Sequence, residues 1–246
     1  MRAVIIMGPP GSGKGTQAKL LADRLGLIHF DTGKYIEQVV HDKSKRNNKI
    51  IQEQRKLFDS GKLCTPSWVL KITKERASQL AKIGLSVVFS GSPRTFYEAF
   101  GYSTEENESK RGLNFKKQKG LMDVLKKYYG KENIFIFNIE IPDKESIKRN
   151  SQRLLCSVCG TQILDCKKLK ILKPKGAEIL RCPFCAGKLY RRTLDSPETI
   201  KTRLKEYKER TQPILLELKK RGYKIIKING KPLPEKITKS IIKWLI

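Results

Sequence analysis

The sequence predicts an α/β fold, a three-layer α/β/α arrangement around a central parallel sheet that carries a phosphate-binding loop. Three observations support this. Short β-branched runs (RAVIIM at 2–7, LSVVF at 85–89, IFIFNIEI at 134–141, YKIIKI at 223–228) alternate with longer stretches of helical spacing. Runs apolar on both faces suit strands covered on both sides, as in parallel sheets. A glycine-rich loop with one lysine, Gly8-Pro9-Pro10-Gly11-Ser12-Gly13-Lys14-Gly15-Thr16, joins the first such run to the first helical stretch. With 246 residues and 39% hydrophobic content, the chain can bury a sizeable core without disulfide or metal support.

The elements follow in order. After the strand at Arg2–Met7, the stretch Lys14–Leu25 places Ala18, Leu21, Ala22 and Leu25 on one helical face. Residues 32–60 are polar and charged and read as two short helices. Thr65-Pro66-Ser67 reads as a cap followed by proline in the first turn, opening a helix to about Ile83. Further helices are expected near 115–129, 143–154, 196–221 and 234–245, the third of these opened by Ser196-Pro197-Glu198. Two stretches break the alternation. Gly101–Asn114 is polar and reads as a loop insertion, and 156–192 reads as a small separate module.

Composition narrows the function. Lys plus Arg is 52 against 24 Asp plus Glu, a net charge of +28, which calls for a polyanionic partner. No apolar run approaches the ~18 residues of a membrane span, so no membrane partner is expected. The N-terminus shows no signal-peptide pattern, so a cytoplasmic, reducing location is expected. The glycine loop names the polyanion. In a strand–loop–helix context, its backbone N–H groups and the helix N-terminus cradle phosphates, and Lys14 reaches the β- and γ-phosphates. Gly15 stands where a Ser or Thr usually follows the lysine, so the hydroxyl is displaced to Thr16.

Six cysteines fall at 64, 156, 159, 166, 182 and 185. Cys156-x2-Cys159 and Cys182-x2-Cys185 form two knuckles whose four thiolates suit tetrahedral Zn²⁺ with no open position, hence a structural ion. Cys64 and Cys166 read as bystanders, with Cys166 near enough to compete as a ligand.

The segment GPPGSGKGTQ resembles the phosphate loop of adenylate kinases and related nucleoside monophosphate kinases, and the resemblance runs through most of the chain. It implies a P-loop core at 1–31, 67–153 and 193–246, a helical monophosphate-binding arm at 32–66 and a small zinc-ribbon-like lid at 154–192. It implies Mg²⁺-dependent phosphoryl transfer from ATP to a monophosphate, AMP being favoured, by a monomer. Gly11, Ser12, Gly13, Lys14, Gly15, Thr16, Arg149 and Gly230 correspond to the ATP side. Thr32, Gly33, Leu63, Cys64, Gly91, Arg94 and Glu98 correspond to the monophosphate side, Gly91-Ser92-Pro93-Arg94-Thr95 resembling the family's G-F-P-R-T. Lys14, Arg94, Arg149, Arg153, Arg192 and Arg203 correspond to the catalytic cations. Arginine suits that work because its planar fork grips two phosphate oxygens and stays charged. The lid segment 156–192 carries nine basic and two acidic residues, a positive cover for polyphosphate.

The sequence also departs from the family pattern. The Asp and Arg expected after Thr32-Gly33 are Lys34 and Glu37, so that Lys34 or Arg46 must serve the acceptor phosphate or its binding weakens. The Asp before the G-F-P-R-T, a carboxylate that orients waters on Mg²⁺ in the family, is Ser90, which can only hydrogen-bond. One of two aspartates leaving the lid is Leu194, so only Asp195 remains. Glutamine that reads adenine is replaced by Glu98, whose carboxylate matches the guanine edge better. A kinase with altered acceptor base, or a weakly active nucleotide-binding relative, is therefore an alternative. A nucleic-acid-binding zinc-ribbon NTPase is another. Its signature is aromatics interleaved with Lys and Arg, and 156–192 holds only Phe184 and Tyr190. Nucleic acid is therefore not the expected partner, and the remaining lysines read as solvated helix surface.

Overall fold

The computed structural model describes residues 1–103, 116–164 and 181–246. In chain order the strands are β1 Ala3–Met7, β2 Ile28–Asp31, β3 Val87–Ser90, β4 Ile134–Glu140, β5 Leu154–Cys156, β6 Gln162–Ile163, β7 Leu189–Tyr190 and β8 Ile225–Asn229. The helices are α1 Lys14–Leu25, α2 Thr32–Val40, α3 Lys49–Asp59, α4 Pro66–Lys82, α5 Phe96–Phe100, α6 Leu121–Tyr129, α7 Asp143–Gln152, α8 Pro197–Glu206, α9 Gln212–Lys220 and α10 Pro234–Ile242.

Five strands form one parallel sheet in the order β2-β3-β1-β4-β8. Period-two alternation splits each central strand between two cores. Ala3, Ile5 and Met7 face the layer of α4, α5, α6 and α9, with Leu70, Phe96, Leu121 and Leu218. Val4 and Ile6 face α1 and α10, with Leu21, Ile237 and Ile241. Each fully buried Leu or Ile of this kind contributes roughly 1.5–3 kcal/mol. The expected α/β layering is present, with one strand more than the sequence patterns predicted. That strand is β2, a four-residue edge strand (IHFD) whose half-buried His29 and Asp31 conceal its pattern.

Other boundaries also moved. The helix expected from 115 begins at Leu121. The preceding Lys116-Lys117-Gln118-Lys119 offers no apolar face, and Gly120 packs where a Cβ would lie 2.3 Å from the Ala99 carbonyl oxygen. Asp123 closes the start by accepting from the Gly120 N–H at 2.9 Å. The helix expected over 196–221 is interrupted by a π turn at Tyr207–Thr211, where the Gln212 N–H reaches back to the Tyr207 carbonyl. Pro213 follows and brings no N–H to the ladder. The helix expected to 154 ends at Gln152, and Leu154 begins β5. Thr65 does not cap α4 with its side chain. Its hydroxyl accepts from the Gln54 amide at 2.8 Å, and its N–H donates to Gln54 Oε1 at 2.7 Å.

β6-β5-β7 form a second, antiparallel sheet over a small cluster of Leu154, Cys156, Cys182 and Leu189. α2 and the start of α4 share a further cluster, Ile36, Val40, Cys64 and Val69. Most of the insertion expected at 101–114, and Cys166, lie outside the described residues. Among the described residues, no helix is long and apolar enough to cross a membrane.

Candidate active site

β1 delivers the chain into the loop 8–15 and α1 leaves it. Two glycines are obligatory there. A Cβ on Gly8 (φ +142) would lie 2.4 Å from the Ile139 carbonyl oxygen, and one on Gly11 (φ +75) would lie 2.6 Å from Asn150 Nδ2. α7 thus clamps the loop from outside, and Ser146 Oγ adds a 2.6 Å bond to the Pro10 carbonyl. Gly13 caps α1 with no side-chain bond, so the first N–H groups of α1 point into the cleft unscreened by a cap. Lys14 Nζ donates to the Gly8 and Pro9 carbonyls at 2.8 and 2.7 Å.

The cleft has a volume of about 820 Å³. All six cations singled out from the sequence line it: Lys14, Arg94, Arg149, Arg153, Arg192 and Arg203. Lys148, Arg191 and Lys231 join them, with Asp31 and Glu145 as the lining carboxylates. Burial, and then the positive charges of Arg94, Arg203 and Arg153, hold the Lys14 pKa well below its usual range. Burial, followed by Arg153, Arg94 and Arg192, brings Arg203 down to about 9. Arg203 therefore stays a cation at neutral pH, and for both groups the crowding of like charge adds to the effect of burial.

Within the cluster each arginine has a distinct setting. Arg94 lies between two glycines. Its Nη2 is 2.8 Å from a Cβ built on Gly91 and 3.5 Å from one built on Gly33. Its backbone is pinned at both ends, its N–H by Glu98 Oε2 at 2.9 Å and its carbonyl by the Thr211 hydroxyl at 2.8 Å. The π turn before α9 is what presents Thr211 there. Arg153 and Arg203 share Asp195, whose side chain is fully buried. Arg153 grips it with two nitrogens, Nε at 2.9 Å, and Arg203 Nη1 lies 3.6 Å away. Arg149 instead braces the chain that follows β8. It donates to the Gly230 carbonyl at 2.9 Å, to that of Lys231 at 3.3 Å and to Glu145 at 2.6 Å.

The substituted positions have specific partners. Glu37 accepts from Arg192 Nη2 at 2.7 Å, tying α2 to the chain leaving the small sheet. Lys34 Nζ lies 2.9 Å from a Cβ built on Gly160, so Lys34 extends toward that sheet. Ser90 Oγ is 2.7 Å from His29 Nε2. Leu194 is buried, and its carbonyl accepts from Arg203 at 3.3 Å.

Two residues expected on the monophosphate side are buried and bonded to their own surroundings. Glu98 caps the start of α5, its second oxygen accepting from the Thr95 hydroxyl at 3.2 Å, so both oxygens are engaged locally. Burial, offset in part by the Arg94 N–H and charge, raises its pKa to about 7. The Cys64 thiol is buried in the cluster with Ile36 and Val69 and donates to the Gln54 carbonyl at 3.6 Å, with its pKa pushed up to about 12 by burial. Leu63 and Gly61 border a narrower pocket of about 60 Å³, together with Gly91, Arg94 and Arg203. The Thr32 hydroxyl is buried without a hydrogen-bond partner among the described residues.

The four paired cysteines come together. The sulfurs of Cys156, Cys159, Cys182 and Cys185 all lie within 4.8 Å of one another. The Cys156–Cys185 and Cys159–Cys182 pairs are 3.3 and 3.7 Å apart. The Thr161 hydroxyl, then its N–H, lower Cys159 to about 6.

This phosphate cradle has counterparts in known proteins. A family model described as adenylate kinase matches residues 6–223. The chain belongs to the adenylate kinase family. Proteins named adenylate kinase from Methanothrix thermoacetophila and Caldicellulosiruptor saccharolyticus are similar to it. The first is 32% identical over 227 residues, 92% of this chain and 90% of the relative. The second is 30% identical over 243 residues, 98% of each. An adenylate kinase from Chlamydia pneumoniae is 30% identical over 241 residues, 98% of this chain and 96% of its own. As an adenylate kinase family member the chain is a nucleoside monophosphate kinase, a phosphotransferase. Asp31, Lys148, Arg191 and Lys231 carry no motif in the sequence, because only the folded chain brings them to the cleft.

Proposed function

We propose that the enzyme transfers the γ-phosphoryl group of ATP to AMP, giving two ADP, with the donor phosphates on residues 11–16 and the acceptor phosphate on Arg94. The observation that carries this reading is the convergence of six cations on one cleft with too few carboxylates to neutralise them. An oxygen of the acceptor phosphate attacks the γ-phosphorus. The bond from that phosphorus to the bridging oxygen breaks, and ADP leaves with the electron pair. Little covalent chemistry is asked of the protein, so alignment and charge stabilisation dominate. Lys14 holds the β- and γ-phosphates, and Arg153, Arg192 and Arg203 surround the transferring group. Arg149, through the Gly230 and Lys231 carbonyls, fixes the loop toward the donor base. Magnesium bound with ATP would neutralise phosphate charge, and Thr16, which lines the cleft, would offer it a hard oxygen donor.

Residues 32–66 act as the arm and 154–192 as the lid, closing over both nucleotides to exclude water. The four sulfurs suit a structural Zn²⁺. A tetrahedron with ~2.3 Å zinc–sulfur bonds has edges of about 3.8 Å, near the observed spacings. The enzyme works as a cytoplasmic monomer. ADP formation measured with AMP, GMP, CMP and UMP tests the assignment, with AMP expected to be the preferred acceptor. Lys14→Ala should lose at least ~100-fold in kcat with unchanged circular dichroism. A near-wild-type rate in that variant refutes the phosphate-holding role of Lys14 and the transfer mechanism built on it.

A further inference from the structure

Two carboxylates of the family pattern near the phosphates are missing from this chain, their places taken by Lys34 and Ser90. The fold puts a different one beside them. β2 and β3 run parallel with Asp31 in register with Ser90, each the last residue of its strand at the edge facing the phosphate loop. Adjacent strands lie about 4.8 Å apart. A carboxylate on β2 is therefore one strand spacing from where the pattern has it on β3.

The side chains fit this exchange. Ser90 Oγ is held sideways by His29 Nε2 at 2.7 Å. Asp31 divides its oxygens. Oδ1 accepts from the Lys34 N–H at 3.1 Å and caps α2. Oδ2 looks across to the first turn of α1, 3.7 Å from a Cβ built on Gly15, the residue between Lys14 and Thr16. Of the two carboxylates among the described residues lining the cleft, Glu145 is taken by Arg149 at 2.6 Å. Asp31 makes no ion pair among the described residues.

We propose that Asp31 is the positioning carboxylate for the magnesium ion carried in with ATP, orienting its bound waters from β2 in place of the residue that is Ser90 on β3. Magnesium keeps several of its waters and takes only one or two carboxylates beside substrate phosphates. A charged acceptor at this edge orders those waters, whereas the serine hydroxyl, bonded to histidine, contributes little. The inference rests on the magnesium-dependent kinase reading above.

Asp31→Asn separates this role from the helix cap, because asparagine caps as well as aspartate. ATP binding is measured by calorimetry with and without saturating Mg²⁺, and Mn²⁺ binding to the enzyme–ATP complex by electron paramagnetic resonance. Wild-type enzyme should bind ATP more tightly with Mg²⁺. Asp31→Asn should lose about tenfold or more of that gain, and of Mn²⁺ affinity, with metal-free ATP binding unchanged or tighter. Asp31→Asn/Ser90→Asp should recover the gain. A full Mg²⁺ gain in Asp31→Asn overturns the proposal. So does an equal loss with and without metal, which marks a structural role, and so does a double variant that binds metal-free ATP normally yet recovers nothing. A wild-type enzyme with no Mg²⁺ gain overturns the magnesium reading itself.

Discussion

Asp195→Asn tests how the arginine cluster is held. Asp195 is fully buried and is shared by Arg153, which grips it with two nitrogens, and Arg203. Removing one partner of a buried pair costs about 3–5 kcal/mol, because the other charge stays buried and unpaired. The lower end applies to this pair. Asparagine keeps one acceptor, and Arg203 is the more exposed and more distant partner, at 3.6 Å. A loss of about 3 kcal/mol in a chain of this length lowers Tm by roughly 6–12 °C. The same change releases two arginines that, in the proposed mechanism, meet the transferring phosphoryl group, and misplacement of about 1 Å costs ~100-fold in rate. Calorimetric melting and steady-state ADP formation measure both effects. A Tm within about 2 °C of wild type together with an unchanged kcat would refute the reasoning, since it would mean that the arginines are held by something other than Asp195.

Three further outcomes are expected. Metal analysis should find zinc bound at one per chain, with Cys159→Ser lowering both zinc content and Tm while Cys64→Ser leaves the stoichiometry intact. Glu98, raised to about 7 from an ordinary 4.5, binds a proton in the folded state that the unfolded chain has released between those pH values. Folding stability should therefore fall as pH rises through that window, by about 3 kcal/mol, and then level off. Glu98→Gln should lack this slope in urea unfolding at pH 5 and 8, and equal slopes would contradict it. Glu37→Gln breaks a partly exposed ion pair with Arg192 worth at most about 1 kcal/mol. It also removes a negative charge from the arm, so the KM for AMP should fall about threefold, equivalent to ~0.65 kcal/mol, with little change in Tm. A raised KM would show that Glu37 assists acceptor binding.

The phosphate loop, the cysteine knuckles and the six cations were legible in the sequence because each is defined locally or by a motif. A glycine loop announces its own backbone, and a C-x-x-C knuckle sets its own sulfur spacing. β2 was not legible, because four residues at a sheet edge carry too little apolar pattern. The π turn was not legible either, because helical periodicity through Leu204, Ile214 and Leu218 runs on across it. Glu98 shows the opposite error. Its chain position fits a base reader by resemblance, but the folded chain engages its carboxylate with the Arg94 N–H and the Thr95 hydroxyl just before α5.

The sequence by itself determined the fold class, the family's phosphoryl-transfer chemistry and the cations that gather at the cleft, since periodicity, glycine freedom and local motifs act over short stretches of chain. The tertiary structure alone decided how those residues are shared out. Strand register set Asp31 beside Ser90, the convergence of α7 with α8 gave Arg153 and Arg203 one buried carboxylate, and the approach of α2 to the chain leaving the small sheet paired Glu37 with Arg192. These pairings join residues up to 155 positions apart. Their energies depend on distance and burial in space, which only packing of the whole chain sets.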